Sequence, residues 1–96
     1  MAKPLSDDQI TDELSELSGW SHKNDKLTKE FGFDNFRDAI AFINRIAFEA
    51  EEQVHHPEIF NVYNTVNISL STHDAGGKVT EKDVKLAKTI ESLFNN

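Results

Sequence analysis

The stretch IFNVYNTVNISLST, Ile59 to Thr72, constrains the fold more than any other part of the chain. Its density of β-branched and aromatic residues suits a pleated, half-buried surface and nothing else, and Asn64 near its middle marks the turn of a hairpin. In the second half Val66, Ile68 and Leu70 share one face, while Thr65, Asn67, Ser69 and Ser71 share the other. His73 joins the polar set if the strand extends that far. A hairpin with one apolar and one polar face belongs to an antiparallel sheet covered on one side, so the rest of the chain has to supply the cover.

Helical patterns flank this hairpin. Before it, Asp34 or Asn35 can cap a helix in which Phe36, Ile40, Ile43, Ala47, Ala50 and Val54 recur at steps of four and three. Phe42 and Ile46 lie beside that stripe and widen the apolar face beyond what one sheet contact needs, which makes this helix the candidate for a helix-to-helix subunit interface. After the hairpin, DAGGK reads as a loop, and Thr80 caps a last helix with Val84, Ala87, Ile90, Leu93 and Phe94 on its buried side. At the start, Ser6 and Gln9 fit a capping box, Leu5 and Ile10 a hydrophobic staple, and a helix is expected over about residues 7–17, ended by Gly19. From Trp20 to Phe33 the period changes to two, with Leu27, Phe31 and Phe33 on one side and KND as the turn of a short hairpin. The expected architecture is one α+β domain over residues 1–96 in the order αββαββα, a four-stranded antiparallel sheet with helices packed on one face.

A chain of 96 residues buries only about 60–70% of its unfolded surface, so seven Phe, one Trp and one Tyr provide for a core and leave apolar surface for a subunit contact. A homodimer or homotetramer is expected. Seventeen acidic residues against ten basic ones give a net charge of −7, and no Lys/Arg cluster follows a phosphate backbone, which argues against direct nucleic-acid binding. The absence of cysteine excludes disulfides and thiolate metal sites. The opening MAKPLSDDQ has no apolar signal region and no apolar run is long enough for a bilayer, so no membrane association is expected and the cytoplasm is the expected location.

Chemistry concentrates in EEQVHHPEIFNVY, Glu51 to Tyr63. Carbonyls at a helix end attract cations, yet Glu49, Glu51 and Glu52 gather there beside His55 and His56. Helix dipole and carboxylates both favour the imidazolium form, which can donate a proton. Pro57 stops the helix and turns His56 out of helical conformation, giving the pair a defined exit. A polar helix terminus also accounts for this pair taken alone. His73, beside Ser71 and Thr72, is a third candidate. Three histidines can bind zinc, but adjacent histidines in an extended segment point to opposite faces and the H-x-x-x-H spacing is missing. No G-x-S-x-G elbow, P-loop or dinucleotide fingerprint occurs.

Glu51, then HHP at 55–57, then Tyr63, His73 and Asp83 form a long spaced signature, and with HHPEIFNVYNTVNISLSTH and EKDVKLAKTIE it resembles the pterin-4a-carbinolamine dehydratase family. The first 20 residues agree with that family in element order only. The resemblance implies a hydro-lyase that dehydrates a 4a-hydroxytetrahydropterin, the product left by an aromatic amino acid hydroxylase, to the quinonoid dihydropterin in tetrahydrobiopterin recycling. It implies no cofactor and no metal. By the same resemblance His55 and His73 are the acid-base pair, with either order open, and His56 binds and orients the pterin. Glu51 tunes the cluster or bonds the pterin, Pro57 belongs to the site as part of HHP, and Ser71, Thr72, Asp74 and the Ala75 backbone line the pocket. Asp83 is included on the motif, although its place as the third residue of a Thr80-capped helix is explained by capping alone. Val54 and Ile59 depart from a polar and an aromatic residue often found in animal members. Some animal members also act as dimerisation cofactors of a homeodomain transcription factor, so a non-catalytic pterin-binding or transcriptional cofactor module is the alternative.

Overall fold

The computed structural model describes residues 2–95. Helix α1 spans Asp7–Leu14, strands β1 and β2 Ser21–Lys23 and Lys26–Gly32, helix α2 Phe36–Glu52, strands β3 and β4 Glu58–Val62 and Thr65–Leu70, and helix α3 Glu81–Phe94. The strands form one antiparallel sheet in the order β1-β2-β4-β3. This is the α+β order expected from the sequence.

The first hairpin turns where its residues tolerate left-handed backbone, whereas in the second the left-handed position falls on Tyr63, at φ 54°. Asn24 and Asp25 at φ 52° and 63° make the two-residue turn between β1 and β2, a conformation that Asn and Asp adopt more easily than most residues. The strand alternation is strict in β4, where Val66, Ile68 and Leu70 are buried and Thr65, Asn67 and Ser69 are half-buried on the open face. Leu27 and Phe31 of β2 extend the covered face.

Two expectations about the helices need correcting. The first helix ends at Leu14, and Leu17, buried with Ile10, reaches the core from the turns that follow. In α2 the buried stripe is Ala39, Phe42, Ile46 and Ala50, so Phe42 and Ile46 are core residues and do not widen an outer face. The stripe read from the sequence lies about a quarter-turn around the helix, where Phe36 and Ala47 are exposed and Ile40 and Ile43 half-buried. Two parallel stripes of helical period compete here. Alanines 39 and 50 let the helix lie close on the sheet while Phe42 fills the gap against Phe31 and Phe33, each ring centroid 5.0 Å away.

Candidate active site

Helix α2 ends in a Schellman closure. The Val54 N–H donates to the Glu51 carbonyl at 3.1 Å and the His55 N–H to the Ala50 carbonyl at 3.0 Å. The residue that turns the chain at such an end is usually glycine; here it is Val54, at φ 51°. Left-handed backbone costs a β-branched residue on the order of 1–3 kcal/mol. The turn sends the His55 ring inward, where only 9% of the residue is exposed.

What meets His55 comes from the first turn of α3. His55 Nε2 lies 2.5 Å from Asp83 Oδ1, and Asp83 is fully buried. Its other oxygen accepts the Thr72 hydroxyl at 2.8 Å and the Thr80 backbone N–H at 2.9 Å. Thr72 Oγ1 is in turn 2.6 Å from Thr80 Oγ1, which also accepts the Lys82 N–H at 3.2 Å. Because Asp83 is surrounded by donors, His55 Nε2–H donates to it as well, which in the neutral ring leaves Nδ1 as the acceptor. The capping role read for Asp83 is therefore real, and the same carboxylate also fixes a histidine 28 positions earlier in the chain.

His56 follows a different course. It is exposed, and its Nε2 lies 2.9 Å from Glu51 Oε1, itself on the surface. His73 is not on β4, as an extended strand would have placed it. The strand stops at Leu70, and His73–Ala75 form one turn of 3-10 helix that leaves His73 exposed. Gly76 and Gly77, at φ 74° and 77°, return the chain so that Thr72 can pair with Lys78. Two consecutive left-handed residues are what this GG supplies.

These segments enclose a cleft of about 280 Å³. His55, His56, Ser71, Thr72, His73 and Asp74 line it, together with Val54 and Lys82. The structure thus brings all three candidate histidines to one place. Glu51, Pro57, Ala75 and Asp83 stand outside the lining: Glu51 holds His56, Pro57 occupies the bend, the Ala75 N–H donates to the Thr72 carbonyl at 3.0 Å, and Asp83 backs His55. Val54 lines the cleft at a position already singled out by its departure from the polar residue of animal members, whereas Lys82 is absent from the sequence reading, although its adjacency to Asp83 in a capped first turn points to it. Among the described residues no group of three His, Cys, Asp or Glu side chains is disposed to hold a metal ion.

Residues 3–93 match the family model described as Pterin 4 alpha carbinolamine dehydratase. The chain belongs to this family. A protein of Christiangramia forsetii is 50% identical over 96 residues, covering 100% of this chain and 98% of its own length. One of Opitutus terrae is 51% identical over 89 residues, 93% of this chain and 92% of its own. Both bear the name pterin-4-alpha-carbinolamine dehydratase provisionally. Among solved structures, a transcriptional coactivator/pterin dehydratase of Brucella melitensis superposes with a TM-score of 0.90 at 34% identity, over 95% of this chain and 98% of that one. A pterin dehydratase-like protein identified as a RuBisCO assembly factor in the alpha-carboxysome gives 0.65 at 27% identity, over 80% and 88%.

Proposed function

We propose that this member of the family dehydrates 4a-hydroxytetrahydropterin by histidine acid-base catalysis and so serves tetrahydrobiopterin recycling after an aromatic amino acid hydroxylase. The observation that carries the reading is the His55–Asp83 pair beside His56 and His73 in one cleft. The substrate bears its hydroxyl on a carbon next to nitrogen. His73 protonates that hydroxyl, the nitrogen lone pair forms a C=N bond as water leaves, and His55 Nδ1 takes the N–H proton to give the neutral quinonoid dihydropterin. One proton is given and one received, so proton shuttling between the histidines restores the site. His55 suits the base because the carboxylate behind Nε2–H holds one tautomer and steadies the imidazolium that forms. Exposed His73 suits the acid because it exchanges protons with solvent. His56, held by Glu51, orients the pterin, and Ser71 and Asp74 bond its polar edge. Positioned proton transfer of this kind contributes ~10²–10⁴-fold.

The exposed stripe of α2, with Phe36 53% and nearby Phe48 75% exposed, supports assembly into a homodimer or homotetramer. A second reading, a non-catalytic partner-binding module, is supported by the names of the two structural neighbours, a transcriptional coactivator and an assembly factor. The assay that separates the two follows enzymatically generated 4a-hydroxytetrahydropterin by absorbance, with chelator present. Disappearance well above the buffer rate is expected. A rate equal to buffer sinks the enzyme reading, and loss of activity caused by the chelator alone brings in a metal.

A further inference from the structure

Val54 is doubly out of place. A β-branched side chain sits at φ 51°, where glycine or asparagine would relax the helix end, and it remains 78% exposed. Neither burial nor packing within the chain offsets that strain. Strained residues cluster at functional sites, and of Val54 and Tyr63, both exposed and left-handed, it is Val54 that lines the histidine cleft. Among the described residues it is also the sole aliphatic side chain of the lining; the other seven are polar or charged. A flat heteroaromatic ring is gripped by apolar surface as well as by hydrogen bonds, and Val54 is the aliphatic side chain placed to supply it.

We infer that Val54 is a substrate-contacting residue whose isopropyl group forms the apolar wall against the face of the pterin ring, an inference that rests on reading the cleft as a pterin site. The αL backbone serves this contact in two ways. It projects the side chain beside the histidines, and through the Schellman closure it fixes the start of the His55 segment. A relaxed residue at this position keeps the closure and loses the wall. Stability and affinity therefore move in opposite directions on substitution, which a purely structural role for Val54 does not produce.

The test compares wild type with Val54→Gly and Val54→Asn. Binding of 6-methylpterin, which carries no polar side chain, is followed by fluorescence, and turnover of the 4a-hydroxy form of the matching tetrahydropterin by absorbance. Both variants should melt higher, by about 4 °C. Both should bind 6-methylpterin on the order of 5- to 10-fold more weakly, with KM rising in parallel and kcat within about twofold. Unchanged affinity together with a raised melting temperature overturns the inference while leaving the proposed function standing. Affinity that falls only in step with a loss of assembly in light scattering overturns it too, since Val54 would then be a subunit contact. A wild-type protein that neither binds the pterin nor turns it over removes both the inference and the reading beneath it. Val54→Ile, which retains an aliphatic wall and the strain, should bind within about twofold of wild type.

Discussion

Two polar pairs tie α3 to the rest of this molecule, one to strand β2 and one to the segment that leaves α2, and they serve opposite ends. Lys29 and Glu91 meet beside rings: the Lys29 ammonium stands 4.8 Å from the Phe31 centroid and 5.8 Å from that of Phe94, Trp20 Nε1–H donates to Glu91 at 2.8 Å, and Phe33 and Phe42 pack in turn on Phe94. His55 and Asp83 meet in surroundings made of hydroxyls and open on the cleft. Lysine keeps one charge across the physiological range, so its pair can only anchor. Histidine changes charge near neutrality, so its pair can pass a proton while the carboxylate stays put. The difference separates a pair that stabilises the fold from the pair that the proposed chemistry would use.

The largest effects should fall on either side of that division. Phe31→Ala removes the ring that links Trp20, Phe42 and Phe94, and should cost about 3–5 kcal/mol in denaturant unfolding. Activity per folded molecule should stay near wild type. His55→Ala should do the reverse, lowering kcat on the order of 100-fold or more while a cooperative fold survives. A His55→Ala protein that unfolds as readily as Phe31→Ala would break the comparison, because the histidine end would then be core as well.

A finer test exchanges the two carboxylates for amides. Asp83→Asn can still accept the Thr80 N–H but presents an amide instead of a charge to His55, so kcat should drop about 10- to 100-fold, short of the full histidine loss, with KM within about twofold. Glu91→Gln should lower stability by about 1–2 kcal/mol and leave kcat alone. Steady-state kinetics beside thermal melts on the same samples reads both. Equal effects of the two amides on kcat would show that Asp83 acts through general stability rather than by orienting its histidine.

How much of this was legible in the sequence follows from how local each cause is. The strand alternation of Val66, Ile68 and Leu70, the caps at Ser6, Asn35 and Thr80, and the KND turn are set by neighbours within a few residues, and the element order could be read from them. Which of two stripes on α2 faces the sheet was not legible, because that depends on ring packing against Phe31 and Phe33 from β2 and the segment after it. The place of His73 stays open in the sequence for a related reason: nothing before Gly76 and Gly77 says that the strand stops at Leu70, and the bridge from Thr72 to Lys78 that follows it is tertiary. The histidine set itself was visible as a spaced motif. Its internal division, one histidine backed by a buried carboxylate and its neighbour by an exposed one, required the meeting of two helix ends far apart in sequence.

That division yields the smallest predicted effect and the sharpest use of the comparison. His56–Glu51 has the same chemistry as His55–Asp83 at similar distance, 2.9 Å against 2.5 Å, but both its partners are largely in water. Exposed ion pairs add little to stability, so Glu51→Gln should leave the melting temperature within about 2 °C of wild type. It should also leave kcat unchanged, because the proposed mechanism gives the proton transfers to His55 and His73. Its cost should appear as a KM raised about two- to fivefold, the mark of ground-state positioning lost when His56 is freed to turn. Raising the salt concentration should reproduce part of that KM increase in the wild type and little of it in Glu51→Gln, since screening weakens an exposed pair and has nothing left to weaken once the carboxylate is gone. A fall in kcat with Glu51→Gln would assign His56 to the proton transfers, and the contrast between the buried and the exposed pair would no longer divide catalysis from binding.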